Sequence, residues 1–221
     1  MAWYVFALTD SVPEGPAGRG LAAPIAFRPV GGLFAAVERR ADVPPIELGS
    51  LRSHQEVVER LAADSRAILP VRFGTLLTSE EIEEVLEDRE DELSEALAFV
   101  RGRCQMTWRL RTPHDARRSK DRSRGDRPHT TSGAEYLRNA LRATKAAPPA
   151  IFRRIRDGVG RLAAAERYQE QTPGAPAALY HLVDRARVDA YRMASKRLQN
   201  SAPTLTLSGP WAPYAFVPEL F

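Results

Sequence analysis

Two rhythms of apolar and polar positions run along this chain. The first residues after the start, Trp3 to Leu8, form an unbroken aromatic and β-branched run that predicts a strand. Thr9 to Pro24 is rich in Gly and Pro and predicts a loop. Ile25–Val30 and Leu33–Glu38 then flank Gly31-Gly32, which predicts a hairpin with a tight turn of positive φ. Pro29 cannot donate to a ladder, so the first arm is expected at a sheet edge. The rhythm changes after Pro44-Pro45. Val57, Val58, Leu61 and Ala62 fall on one helical face, and Ser53 with Glu56 has capping-box spacing, so a helix is expected to start at Ser53. Leu69, Val71 and Phe73 alternate with Ile68, Pro70 and Arg72, the pattern of a half-buried strand.

The segment ILPVRFGTLLTSEEIEEVL reads as a strand-to-helix joint. Arg72 and Gly74 lie at the turn, Thr78 stands at the cap position, and Glu81 sits three residues on to complete a capping box. Leu77 and Ile82 are placed for a hydrophobic staple, and Glu80 and Glu81 face the positive end of the helix dipole. One helix is expected through Val100, with Ile82, Val85, Leu86, Leu93, Leu97 and Val100 on its apolar side. Its other side is acidic: Glu83, Glu84, Glu87, Asp88, Glu90, Asp91 and Glu92. Cys104 to Arg111 predicts a closing strand.

A second half restarts beyond His129. Tyr136, Leu137, Ala140 and Leu141 predict one helix, and Ile151, Phe152, Ile155, Val159 and Leu162 another. ALYHLVD predicts a strand, Arg187 to Gln199 a helix with Val188, Tyr191, Ser195 and Leu198 as its stripe, and TLTLSG a strand. GPWAPYAFVPEL is punctuated by proline and reads as an extended tail. The fold class is therefore α+β, in two mixed domains. Residues 1–111 would form an antiparallel-type sheet with two helices. Residues 131–221 would form helices, a small sheet and the tail, after a basic linker at 112–130.

Charge and cysteine narrow the compartment and the partners. The single cysteine, Cys104, excludes an intrachain disulfide and suits a reducing cytoplasm. MAWYVFALTD lacks the basic start of a leader, and four prolines between Leu198 and Pro218 argue against a spanning helix, so no membrane role is expected. Seven basic and three acidic side chains lie between Arg111 and His129, an excess of four that equals the net charge of +4. That stretch is either a solvated linker or, as a rival reading, a nucleic-acid contact made by residues 111–127. No aromatic residue is interleaved there to stack on bases.

A reactive constellation is hard to find. The four histidines show no metal-ligating spacing, and there is no P-loop, no G-x-S-x-G and no dinucleotide fingerprint. No catalytic residue, metal or cofactor is expected. If an enzyme site exists, Arg72, His54 and His181 are its candidates. Glu87, Glu90 and Asp91 on the acidic helix, and Trp211, Tyr214 and Phe216 in the tail, are instead candidate contacts for a protein partner.

WYVFAL, ILPVRFGTLL, GAEYL and LSGPWAPYAFV occur in that order across nearly the whole chain, and together they resemble the GvpF/GvpL family of gas vesicle accessory proteins. The arginine-rich insert from Thr112 to His129 departs from the family pattern. The resemblance implies a two-domain α+β protein of the cytoplasm, without enzymatic activity. It implies assembly of the gas-filled vesicle shell through binding of the hydrophobic shell protein and other accessory proteins.

Overall fold

The structure, a computed structural model, describes residues 2–15, 17–110, 150–172 and 175–218. The predicted helix at Tyr136 to Leu141 and the basic stretch at 112–130 lie outside the described residues. The chain divides into two compact units. The first comprises Met1–Met106, Leu182–Val188 and Gly209–Phe221; the second comprises Thr107–His181 and Asp189–Ser208.

The first unit is built on β1 (Ala2–Thr9), which is flanked by β3 (Leu33–Arg40) on one side and by β4 (Ile68–Pro70) and β5 (Leu76–Leu77) on the other. β2 (Ala26–Val30) pairs with β3 and lies at the edge, where Pro29 has no ladder bond to lose. All these pairings are antiparallel. The hairpin turn forms at Gly31-Gly32 as expected. Only Gly31 of the two takes a positive φ, +57°.

Three helices accompany this sheet, α1 (Leu48–Asp64), α2 (Ser79–Asp88) and α3 (Glu90–Val100), where the sequence pattern suggested two. Val57, Val58 and Leu61 of α1 bury against Tyr4, Phe6, Ala36 and Ile68. Each such side chain stabilises the fold by about 2 kcal/mol. Ala35 and Val37, which alternate with Ala36, are equally buried.

Three local expectations are corrected here. Helix α1 does not start at Ser53 but at Leu48, with Glu47 as N-cap and no side-chain cap. Leu51 N–H already donates to Glu47 C=O at 3.0 Å, so the helix is under way before the serine is reached. The strand expected to run through Phe73 stops at Pro70, and its three residues are buried on both faces. The acidic helix breaks at Arg89 (φ −124°, ψ 18°), so two helices replace one.

A second sheet has the order β7-β8-β6-β9, from β6 (Arg103–Leu110), β7 (Ala163–Gln169), β8 (Ala178–Asp184) and β9 (Leu205–Trp211). Strand β7 was not expected. Its opening run of three alanines has high helix propensity, and only pairing with β8 makes it a strand. Within the second unit, α4 (Ala150–Val159) buries Phe152, Ile155 and Val159, and α5 (Val188–Ser201) buries Tyr191 and Ser195. Gly158 of α4 lies against Leu198 of α5, where a Cβ would come within 3.0 Å. The tail is only partly extended. Gly209 to Trp211 finish β9, and Tyr214–Phe216 form a 3-10 turn. The architecture is α+β, with two antiparallel sheets.

Candidate docking surface

The joint before α2 is specified residue by residue. Gly74 has φ +95°, a conformation that a Cβ would strain. Its N–H donates to Tyr4 Oη at 3.1 Å, and Thr75 Oγ1 donates to Arg72 C=O at 3.0 Å to close the turn. Arg72 itself is exposed. Both arms of the capping box form. Glu81 N–H donates to Thr78 Oγ1 at 3.2 Å, and Thr78 N–H donates to Glu81 Oε2 at 2.7 Å. Hydrogen bonds from its own backbone and from Thr78 hold the Glu80 carboxyl below its usual range.

The first turn of α2 is also tied to the sheet. Ser79 Oγ accepts from Trp3 Nε1 and from Arg28 Nη1, each at 3.0 Å. Arg28 stacks over the Trp3 ring at 5.0 Å and bridges to Glu83 at 3.2 Å. The apolar row Ile82, Leu86, Leu93, Leu97 and Val100 is buried. The acidic side is thereby turned outward on a firmly held support.

The acids on that side do different work. Glu90 accepts the Gly32 N–H at 2.9 Å and grips the β2–β3 turn, so its carboxylate has a structural partner. Glu92 pairs with Arg89 at 2.8 Å. The carboxylates of Glu87 and Asp91 are exposed, without a hydrogen-bond or ion-pair partner among the described residues. No sequence signal marked Glu90 as the clamp of a turn 58 residues away.

The tail aromatics sit differently. Phe216 is 3% exposed, and Trp211 and Tyr214 are half-buried. Burial pushes the Tyr214 hydroxyl well above its ordinary pKa. Gln105 Oε1 accepts the Ala215 N–H at 2.8 Å, and a Cβ on Gly209 (φ +114°) would lie 2.6 Å from the Gln105 carbonyl. The glycine in the GPWAPYAFV run thus allows a close backbone approach.

The two histidines of the enzyme reading are sealed. His54 is 4% exposed and His181 is 0% exposed. The Val71 carbonyl can only accept, which puts the ring proton of neutral His54 on Nε2 and leaves Nδ1 to accept from Tyr4 Oη at 2.9 Å, while that hydroxyl also accepts the Gly74 N–H. His54 Nε2–H then donates to Val71 C=O at 3.2 Å. Burial lowers the His54 pKa to about 4. The second unit repeats the arrangement with the residues exchanged. Trp108 Nε1–H donates to Tyr191 Oη at 2.7 Å, Tyr191 donates to His181 Nδ1 at 2.7 Å, and His181 Nε2–H donates to Glu166 at 3.0 Å. Burial lowers the His181 pKa against the pull of Glu166. Burial pushes the Glu166 carboxyl up, but Arg156 and His181 together hold it below its usual range. Among the described residues no group of three or more His, Cys, Asp or Glu side chains is placed to hold a metal ion. No described helix is long and apolar enough to cross a membrane.

Comparison with known proteins gives a consistent set of matches. The family described as "Gas vesicle synthesis protein GvpL/GvpF" matches residues 2–218. The chain is 27% identical over 245 residues to gas vesicle protein L of Streptomyces sp. (strain CB03234), covering 96% of this chain and 91% of that protein. The crystal structure of gas vesicle protein GvpF from Microcystis aeruginosa superposes with a TM-score of 0.73 at 15% identity, over 97% of this chain and 98% of that one. GvpF from Anabaena sp. PCC7120 gives 0.73 at 17% identity, over 98% and 96%. At such identities the two crystal structures speak to the fold.

Proposed function

Because this chain belongs to the GvpL/GvpF family of gas vesicle synthesis proteins, with a role in gas vesicle formation, we propose that it is a non-enzymatic assembly accessory that binds the hydrophobic shell protein and other vesicle proteins during nucleation or growth of the shell. It works in the cytoplasm, at the vesicle. A wall that excludes water needs subunits with strongly apolar faces, and those faces aggregate before assembly unless a soluble partner covers or orients them. The observation that carries the reading is the outward acidic side of α2 and α3, rigidly supported by the capping box and the Trp3–Ser79–Arg28 contacts. Glu87 and Asp91 are its proposed contacts to basic positions on a vesicle protein, and Glu90 holds the surface in shape. The tail residues Trp211, Tyr214 and Phe216 then act by packing the C-terminal segment.

Co-expression with a tagged shell protein tests the proposal. The expected result is co-purification at low salt that weakens at ~0.5 M salt. Glu87→Lys with Asp91→Lys lowers recovery by about tenfold while thermal stability stays unchanged. Absence of binding to every vesicle component, or full binding by the reversed variant, rejects it. The nucleic-acid reading rests on residues 111–127, which lie outside the described residues; a gel shift abolished by deleting 112–129 would favour it.

A further inference from the structure

Of the exposed large apolar side chains described in the first unit, all but Val12 and Phe99 gather in one short stretch. Val43 is 49% exposed, Ile46 83%, Leu48 64% and Leu51 39%. They belong to the turn leading into α1 and to its first helical turn. Glu47 N–H donates to Pro45 C=O at 2.8 Å and Leu51 N–H to Glu47 C=O at 3.0 Å, so the backbone from Pro45 into α1 is ordered, and with Val43 just before it these side chains form the ledge. Such a stretch is unusual for a helix start, where polar caps face water.

Its charges have a pattern. At about 100° per residue, Leu51 and Leu48 lie in the middle of the exposed face, while Glu47 and Arg52 lie about 140° apart on opposite rims. Both Glu47 and Arg52 are exposed, and neither side chain has a hydrogen-bond or ion-pair partner among the described residues. Glu47 is the N-cap of α1 yet makes no side-chain cap hydrogen bond. The two charges are too far round the helix to satisfy each other.

We propose that this ledge is a self-association surface whose occupant is the same ledge of a second copy of this chain. In a two-fold contact any residue pair i to j is repeated as j to i. When two such helix starts pack side by side and parallel, crossing at about 20°, Leu48 and Leu51 of both copies cluster at the centre. Glu47 of each copy then faces Arg52 of the other, on both rims at once. The ledge is thus complementary to itself in charge as well as in hydrophobicity. A few hundred Å² of apolar surface falls short of the roughly 800 Å² a side of a permanent pair, so the dimer is reversible.

Sedimentation velocity on the full chain across a concentration series tests this. The wild type is expected to pass from monomer to dimer, and Leu48→Gln with Leu51→Gln to stay monomeric at the highest concentration. Glu47→Arg and Arg52→Glu each weaken the dimer by about tenfold, and the double exchange restores it. All four positions are solvent-exposed, and unchanged circular dichroism confirms that the variants fold. A wild type that stays monomeric, a dimer indifferent to the leucine changes, or a double exchange without recovery overturns the proposal. So does occupation of the ledge by a different vesicle protein while the chain alone remains monomeric.

Discussion

At Tyr4 one hydroxyl joins three parts of the first unit, accepting from Gly74 N–H and donating to His54 Nδ1. Tyr4→Phe keeps the ring and strands both partners, so chemical denaturation should show a loss of ~1–3 kcal/mol. Gly74→Ala forces a Cβ into φ +95° and should cost ~1–2 kcal/mol, although the nearest atom, Val43 Cγ1, is a comfortable 3.6 Å away. Backbone conformation, not space, makes that glycine necessary. His54 also sets a pH dependence. Its pKa is about 4 in the fold against an ordinary 6.5, so the unfolded chain takes up the proton first. Its contribution is complete above pH ~6.5, erodes as pH falls and is gone below ~4, a span of at most ~3 kcal/mol. Urea melts at several pH values should show a slope in that window that His54→Gln flattens. An unaltered slope in the variant would assign the effect elsewhere.

Elements were legible wherever neighbours in sequence settle the backbone. The Thr78–Glu81 box needs only four consecutive residues, and it forms as its spacing predicts. Thr78→Ala should accordingly cost ~1 kcal/mol and speed amide exchange in the first turn of α2. Ser53 and Glu56 have the same spacing and form no cap, because nothing between Leu48 and Arg52 keeps the helix from starting earlier. The spacing alone does not distinguish the two sites. The break at Arg89 was equally hidden: it places Glu90 at the Gly31-Gly32 turn, a contact made across more than fifty residues. Glu90→Gln should loosen that turn, read as faster exchange of the Gly32 amide, and leave the capping box untouched. Strand β7 went unseen for a related reason, since its alanines prefer helix until β8 offers a ladder.

At the scale of the molecule, charge is distributed by element. Helices α2 and α3 carry their acids outward, while the positive net charge traces to residues 111–129. Association driven by the acidic side should respond to ionic strength. Association through the apolar ledge at Val43 to Leu51 should persist in salt once the leucines are in contact. Measuring both in one salt series separates the vesicle contact from self-association. The four ordered motifs identified the family from sequence alone, and the matching family description over residues 2–218 agrees.

Hydrophobic rhythm, turn glycines and cap residues were enough to predict the α+β class, the first hairpin and the α2 joint, because each depends on residues a few positions apart, while the family came from the resemblance carried by four ordered motifs. Only the folded chain decided which acids are free for a partner, which histidine nitrogen carries the proton, and that apolar side chains at the start of α1 face water. Those outcomes depend on tertiary contacts between groups 10 to 58 residues apart, such as His181 with Tyr191 or Gly32 with Glu90, and no local pattern records what will arrive beside a side chain.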